Sequence, residues 1–145
     1  MKPAVMFDAH AHLQDARLDG LRHDLFEAAL RAGLAGLCCC GTGPGDWDRL
    51  ERILAECPGS LRVIPAFGVH PWHVADLPSD WRDRLRRLLA RHPGAAVGEI
   101  GLDGIKSKAP TPEQREIFVD QLRIAGEMDR VVVLHGARAW GGLVA

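Results

Sequence analysis

Short apolar blocks alternate with stretches of helical spacing along the whole chain. Val5-Met6-Phe7 reads as a first strand, set directly before a His-Ala-His segment. Leu21, Leu25, Ala28 and Ala32 recur at helical spacing, which predicts a helix that buries this face and stops at Gly33. Leu34 to Cys40 reads as a second strand. Trp47, Leu50 and Leu54 mark a second helix, closed by Pro58-Gly59. Leu61 to Val69 is a third strand, interrupted by Pro65. Trp81, Leu85, Leu88 and Leu89 mark a third helix, closed by Pro93-Gly94. Ala95 to Ile100 reads as a fourth strand. Thr111-Pro112-Glu113-Gln114 is a helix start, with Thr at the cap, Pro at the first position and Gln three after the cap. Ile117, Phe118, Leu122 and Ala125 follow on that helix. Val131-Val132-Val133-Leu134 is a fifth strand, and Ala139 to Ala145 reads as the opening of a further helix.

Strand and helix thus alternate four times before the fifth strand. Such alternation makes the class α/β, with a parallel sheet of about five strands, four helices and right-handed crossovers. The near-continuous apolar strands agree, since parallel strands are buried on both faces. Periodicity leaves open whether the sheet is open or part of a closed barrel. No repeat, linker or low-complexity tract divides the 145 residues, so residues 1–145 read as a single domain.

Composition narrows the function classes. A hydrophobic content of 47% supports a real core. Eighteen basic residues against 19 acidic ones give a net charge of -1, which excludes attraction to nucleic acid or membrane by bulk charge and leaves a local phosphate site open. No stretch approaches the ~20 apolar residues of a membrane span. The first residues are too short for a secretory signal, so a cytoplasmic location is expected. Cys38, Cys39 and Cys40 are consecutive, which suits neither a zinc knuckle nor a disulfide frame. They read as a buried strand end with free thiols, because neighbours on a strand face opposite ways. Cys57 reads as structural.

Four segments carry candidate chemistry. In Asp8-Ala9-His10-Ala11-His12 the two imidazoles share one face of a strand and can reach one divalent ion, with Asp8 placed to orient a ligand. In Val97-Gly98-Glu99-Ile100-Gly101 a carboxylate sits inside an apolar strand, costly unless paired or metal-bound. The flanking glycines suggest close backbone approach and room for a ligand. His135 ends an apolar strand; Arg138, three residues on, reads either as a phosphate contact or as a solvated charge. His70 follows the third strand as a ligand, a substrate contact or a loop anchor. Trp72 reads as a packed loop residue, with base stacking as the alternative. His10, His12, His70, Glu99 and His135 all belong to the C-terminal ends of parallel strands, where such folds place catalytic residues. Imidazoles with a carboxylate suit zinc, manganese or a similar ion, and a carboxylate bridging two ions suits a metal-activated water attacking a phosphoester or an amide.

Phe7-Asp8-Ala9-His10-Ala11-His12-Leu13, Phe67-Gly68-Val69-His70-Pro71-Trp72, Val97-Gly98-Glu99-Ile100-Gly101-Leu102-Asp103 and Leu134-His135-Gly136-Ala137-Arg138-Ala139-Trp140, in that order and spacing, resemble the TatD family of metal-dependent deoxyribonucleases. That family belongs to the amidohydrolase-like TIM-barrel hydrolases, and the resemblance runs from Phe7 to Trp140. It implies that His10 and His12 bind a first metal, that Glu99 bridges two metals and acts in catalysis, and that His135 binds the second. His70 receives no firm ligand role; it and Arg138 are candidate substrate contacts. The implied activity is hydrolysis of DNA phosphodiesters with two divalent ions, magnesium, manganese or zinc, and the implied partner is nucleic acid.

Barrels of this kind run to ~250 residues. By the resemblance the chain reads as the first half of a TIM-barrel-type metallohydrolase, and the family's remaining His and Asp ligands map to no residue in it. Little nuclease activity and weak metal binding are therefore expected of it alone. A homodimer through the two exposed sheet edges is expected as well. Two rival functions stand beside this one. The first is a hydrolase of a cyclic amide or lactone, whose mark would be a carboxylated lysine; none of Lys2, Lys106 and Lys108 lies in a predicted strand. The second is a non-catalytic remnant with residual metal binding.

Overall fold

A computed structural model describes residues 6–106 and 108–144. Among them, strands and helices alternate as β1 (Met6–Ala11), α1 (Arg22–Arg31), β2 (Leu34–Cys40), α2 (Trp47–Glu56), β3 (Arg62–Phe67), α3 (Trp81–Arg91), β4 (Ala96–Asp103), α4 (Pro112–Glu127), β5 (Val132–Ala137) and the single turn α5 (Trp140–Leu143). All four strand pairings are parallel, and the sheet keeps chain order, β1-β2-β3-β4-β5. The strands form a curled half-barrel, the first half of the TIM-barrel-type architecture that the family resemblance implies and that the alternation alone leaves open.

The helices cover one face of the sheet. Trp47, Leu50 and Ile53 of α2, the four predicted apolar residues of α3, and Ile117, Phe118 and Ile124 of α4 close over Leu37, Cys39, Phe67, Val97 and Leu102. The opposite face carries a second, smaller cluster of Cys38, Cys40, Ala66 and Ala96, with Val133 against it. The three cysteines alternate between the two faces as the strand period requires, and Cys38, Cys39, Cys40 and Cys57 are all free thiols. Thr111 caps α4, its Oγ1 accepting the Gln114 N–H at 3.3 Å.

Three expectations change. First, α1 presents a different face from the predicted one. Phe26 is its buried residue, while Leu21 and Leu25 are 51% and 40% exposed. The bulkier aromatic ring takes the core position, and the leucine spacing alone did not weigh that. Second, Pro65 lies inside β3 opposite Cys39 and does not interrupt it. Third, β1, β4 and β5 run past their predicted ends, to Ala11, Asp103 and Ala137, and β3 is shorter than predicted, spanning Arg62–Phe67; Val5 lies outside the described residues.

The glycines around Glu99 serve close strand approach rather than ligand space. A Cβ at Gly98 would stand 2.6 Å from that of Val133, and one at Gly101, where φ is 147°, would collide with the His135 carbonyl. They let β4 lie tightly against β5, which brings Glu99 and His135 together.

Candidate metal centre

At the C-terminal side of the sheet, strands far apart in sequence bring four imidazoles around one carboxylate. Glu99 is buried in β4. Its Oε2 lies 3.1 Å from His10 Nε2 and 3.4 Å from His12 Nε2. Its Oε1 lies 2.9 Å from His135 Nδ1 and 3.8 Å from His70 Nε2. The two nitrogens of His10 and His12 are themselves 3.1 Å apart, and those of His70 and His135 are 3.0 Å apart. One carboxylate therefore faces two pairs of imidazoles, one with each oxygen.

These spacings fit a cation. Ligand atoms about 2.1 Å from an ion, at octahedral to tetrahedral angles, stand roughly 3.0 to 3.4 Å from one another. His10, His12 and Glu99 meet this; Glu99 and His135, at 2.9 Å, form the start of a second group, in which His70 stands farther off at 3.8 Å. The outer contacts decide which nitrogen is free. His12 Nδ1 donates to the Cys40 carbonyl at 2.7 Å, leaving Nε2 with its lone pair toward Glu99. His135 Nε2 donates to Asp103 Oδ2 at 3.0 Å, leaving Nδ1 free on the Glu99 side. His70 is the opposite case. Its Nδ1 accepts the Trp72 backbone N–H at 3.1 Å, so the neutral ring carries its proton on Nε2, where it is a donor rather than a ligand. Burial holds the His70 pKa down at about 4 against the opposing pull of Glu99, so the ring is neutral at pH 7.

The electrostatics follow the same contacts. The hydrogen bond to Glu99 raises the His12 pKa despite the ring's burial. Burial alone would raise Glu99, but His12, His70, His10 and His135 outweigh it and hold the carboxyl at about 2. Glu99 is thus an anion throughout the physiological range.

Sequence reasoning found Glu99 and the four histidines, but missed what braces them. Asp103 is 1% exposed, and it accepts from His135 Nε2 and from Trp72 Nε1 (2.8 Å) on Oδ2, and from the Ile105 and Lys106 N–H groups on Oδ1. Burial would push its pKa up; the Lys106 N–H, His135 and Trp72 push it down further, well below the usual carboxylate range. Gln14, also buried, donates to the Cys40 carbonyl that His12 uses, and to Asp46. Gln121 grips the backbone N–H and carbonyl of Val69, next to His70. A buried amide or carboxylate gives little sign in sequence when its partners lie dozens of residues away. Asp8 does not reach an imidazole; it accepts the His10 backbone N–H at 3.0 Å. Arg138 stands exposed in a left-handed turn after β5, with φ 50°, and is outside the cluster.

Comparison with known proteins places this geometry in context. A family model described as TatD related DNase matches residues 7–145. The chain is 31% identical over 131 residues to a protein of Yersinia pseudotuberculosis named 3'-5' ssDNA/RNA exonuclease TatD, covering 90% of this chain and 49% of that protein. It is 26% identical over 135 residues to the metal-dependent hydrolase YabD of Bacillus subtilis, whose role is uncharacterised, covering 93% of this chain and 52% of that protein. The crystal structure of the TatD homologue YjjV of Escherichia coli superposes with a TM-score of 0.81 at 28% identity, over 95% of this chain and 53% of that one. The chain spans about half the length of the curated relatives it matches.

Proposed function

This chain belongs to the TatD related DNase family, and from that premise we propose that it contributes the bridging half of a two-metal centre that hydrolyses phosphodiester bonds of nucleic acid. In this reading His10, His12 and Glu99 hold one divalent ion, and Glu99 with His135 holds a second, the ions being magnesium, manganese or zinc. The observation that carries it is the division of Glu99, Oε2 toward His10 and His12 and Oε1 toward His135.

Ions held there would supply Lewis acidity toward a phosphoryl oxygen and a water nucleophile. The protein's own part is positioning. The Cys40 carbonyl and Asp103 fix the rings of His12 and His135, so that the free nitrogen of each faces Glu99. His70, neutral with its proton on Nε2, can donate to a phosphate oxygen beside Glu99. Arg138 is a more distant substrate contact. Residues 1–145 form one domain in this reading, the first part of a TatD-like barrel. The edges β1 and β5 are the surfaces through which two copies would pair.

Calorimetric titration of Mn2+ into the chelator-treated chain tests the centre directly. Modest binding is expected, weakened at least tenfold in Glu99→Ala. Metal-dependent loss of a single-stranded oligonucleotide is expected to be slight for residues 1–145 alone, and that slight loss to be abolished by chelator and by Glu99→Ala. A folded chain that takes up no Mn2+, or Glu99→Ala binding as well as the parent, overturns the reading.

A further inference from the structure

We propose that the indole of Trp72 is a stacking platform for one nucleobase of single-stranded nucleic acid, seating the nucleotide next to the phosphate that reaches Glu99; this rests on the nuclease reading above. The sequence favoured a packed loop residue at this position, and the structure differs. Trp72 is 50% exposed, whereas Trp47 and Trp81 are buried.

An exposed loop tryptophan would ordinarily turn freely. This one is held at both ends. Its Nε1–H donates to Asp103 Oδ2 at 2.8 Å, and its backbone N–H donates to His70 Nδ1 at 3.1 Å. The ring is locked to the same carboxylate that orients His135, and its centroid lies 5.1 Å from that of His70 and 6.3 Å from that of His135. A rigid, half-exposed aromatic face costs little further entropy when a base settles on it.

Trp72 also lines a cleft of about 510 Å³ whose wall includes His12, His70, Arg17 and Arg49. The cleft therefore joins the aromatic face to the edge of the His–Glu centre. Lys106 lies against the ring with Nζ 5.0 Å from the centroid, and it lines a separate cleft that excludes His12 and His70. The cations near the platform are largely engaged already. Arg17 is forked onto Asp15, and Arg49 is paired with Asp19. Phosphate attraction is accordingly weak in this cleft, and the base face is what remains to grip a strand. A duplex, whose bases are stacked on each other, offers no free face to Trp72.

The test measures anisotropy of fluorescently labelled oligothymidylate, in chelator so that nothing is cleaved. The same strand built entirely of abasic units is the second probe. Trp72→Ala is expected to weaken oligothymidylate binding roughly 5- to 150-fold while leaving abasic-strand binding unchanged. Trp72→Phe should retain most of the affinity, and the salt dependence should be shallow. Equal losses on both probes, or no loss on either, overturn the platform while leaving the nuclease reading intact. A folded parent chain that binds neither strand overturns both. A melting curve for Trp72→Ala matching the parent's confirms that the comparison is between folded proteins.

Discussion

Asp103 spends both carboxylate oxygens on four donors, and two of these, His135 and Trp72, belong to the candidate site. Replacing it tests whether the geometry of His135 depends on a buried anion. Asp103→Asn keeps the shape but loses the charge, and its amide cannot accept on both sides. Mn2+ affinity is expected to fall roughly 10- to 100-fold, with far-UV circular dichroism unchanged; unaltered affinity in the folded variant would show that His135 needs no such brace. A second prediction at this scale concerns the thiols. Burial raises the Cys39 pKa from 9.0 to about 11, and burial likewise raises that of Cys57. Between these pH values the unfolded chain has released the Cys39 proton and the folded one retains it, so stability falls as pH rises through that window. The fall from Cys39 alone is about 3 kcal/mol. Denaturant midpoints measured from pH 8 to 11 should decline less steeply in Cys39→Ala than in the parent.

Among the elements, the contact of β4 with β5 is the most demanding, because Gly101 admits no side chain there. Gly101→Ala is expected to cost more than about 1 kcal/mol, lowering the melting temperature by roughly 3 °C or more. Gly59→Ala, where an added Cβ meets nothing within 4 Å, is the matched control and should melt like the parent. Equal melting of both variants would remove the claim that glycine is required. The elements also show what the sequence could and could not tell. β2 was legible from its unbroken apolar run, α2 and α3 because apolar spacing meets a Pro-Gly stop, and α4 because Thr111 caps it; all four predicted residues of α3 are buried, while Leu122 of α4 is exposed. α1 was misread at its buried face because two leucines at helical spacing look like a core stripe, and nothing local reveals that Phe26 outcompetes them. The ligand candidates were legible because His and Glu are costly residues at the ends of apolar strands. Asp103 was not, because an aspartate at the end of a glycine-rich strand, with backbone donors two and three residues on, looks like a turn residue; its two partners in the site lie 31 and 32 positions away.

For the whole molecule, β1 and β5 are the two edges of the sheet, and both expose large apolar side chains. Met6 and Phe7 are 46% and 48% exposed, Leu134 is 47%, and Val131 just before β5 is 77%. Edges of this kind recruit further strands. Sedimentation velocity is expected to show association that grows with concentration, and Leu134→Lys should shift the distribution toward the monomer. A parent chain that sediments as a monomer at all concentrations would rule this out. Among the described residues no helix is long and apolar enough to cross a membrane.

The chain-order sheet also bears on synthesis. Each strand pairs with the one made just before it, so the sheet can be laid down as the polypeptide leaves the ribosome, with no earlier strand waiting for a distant partner. The centre obeys a different clock. His10 and His12 emerge first, yet Glu99 follows His10 by 89 residues and His135 comes later still. A nascent chain therefore lays down β1 to β3 before Glu99 of β4 can complete the group with His10 and His12, and the group that includes His135 waits for β5.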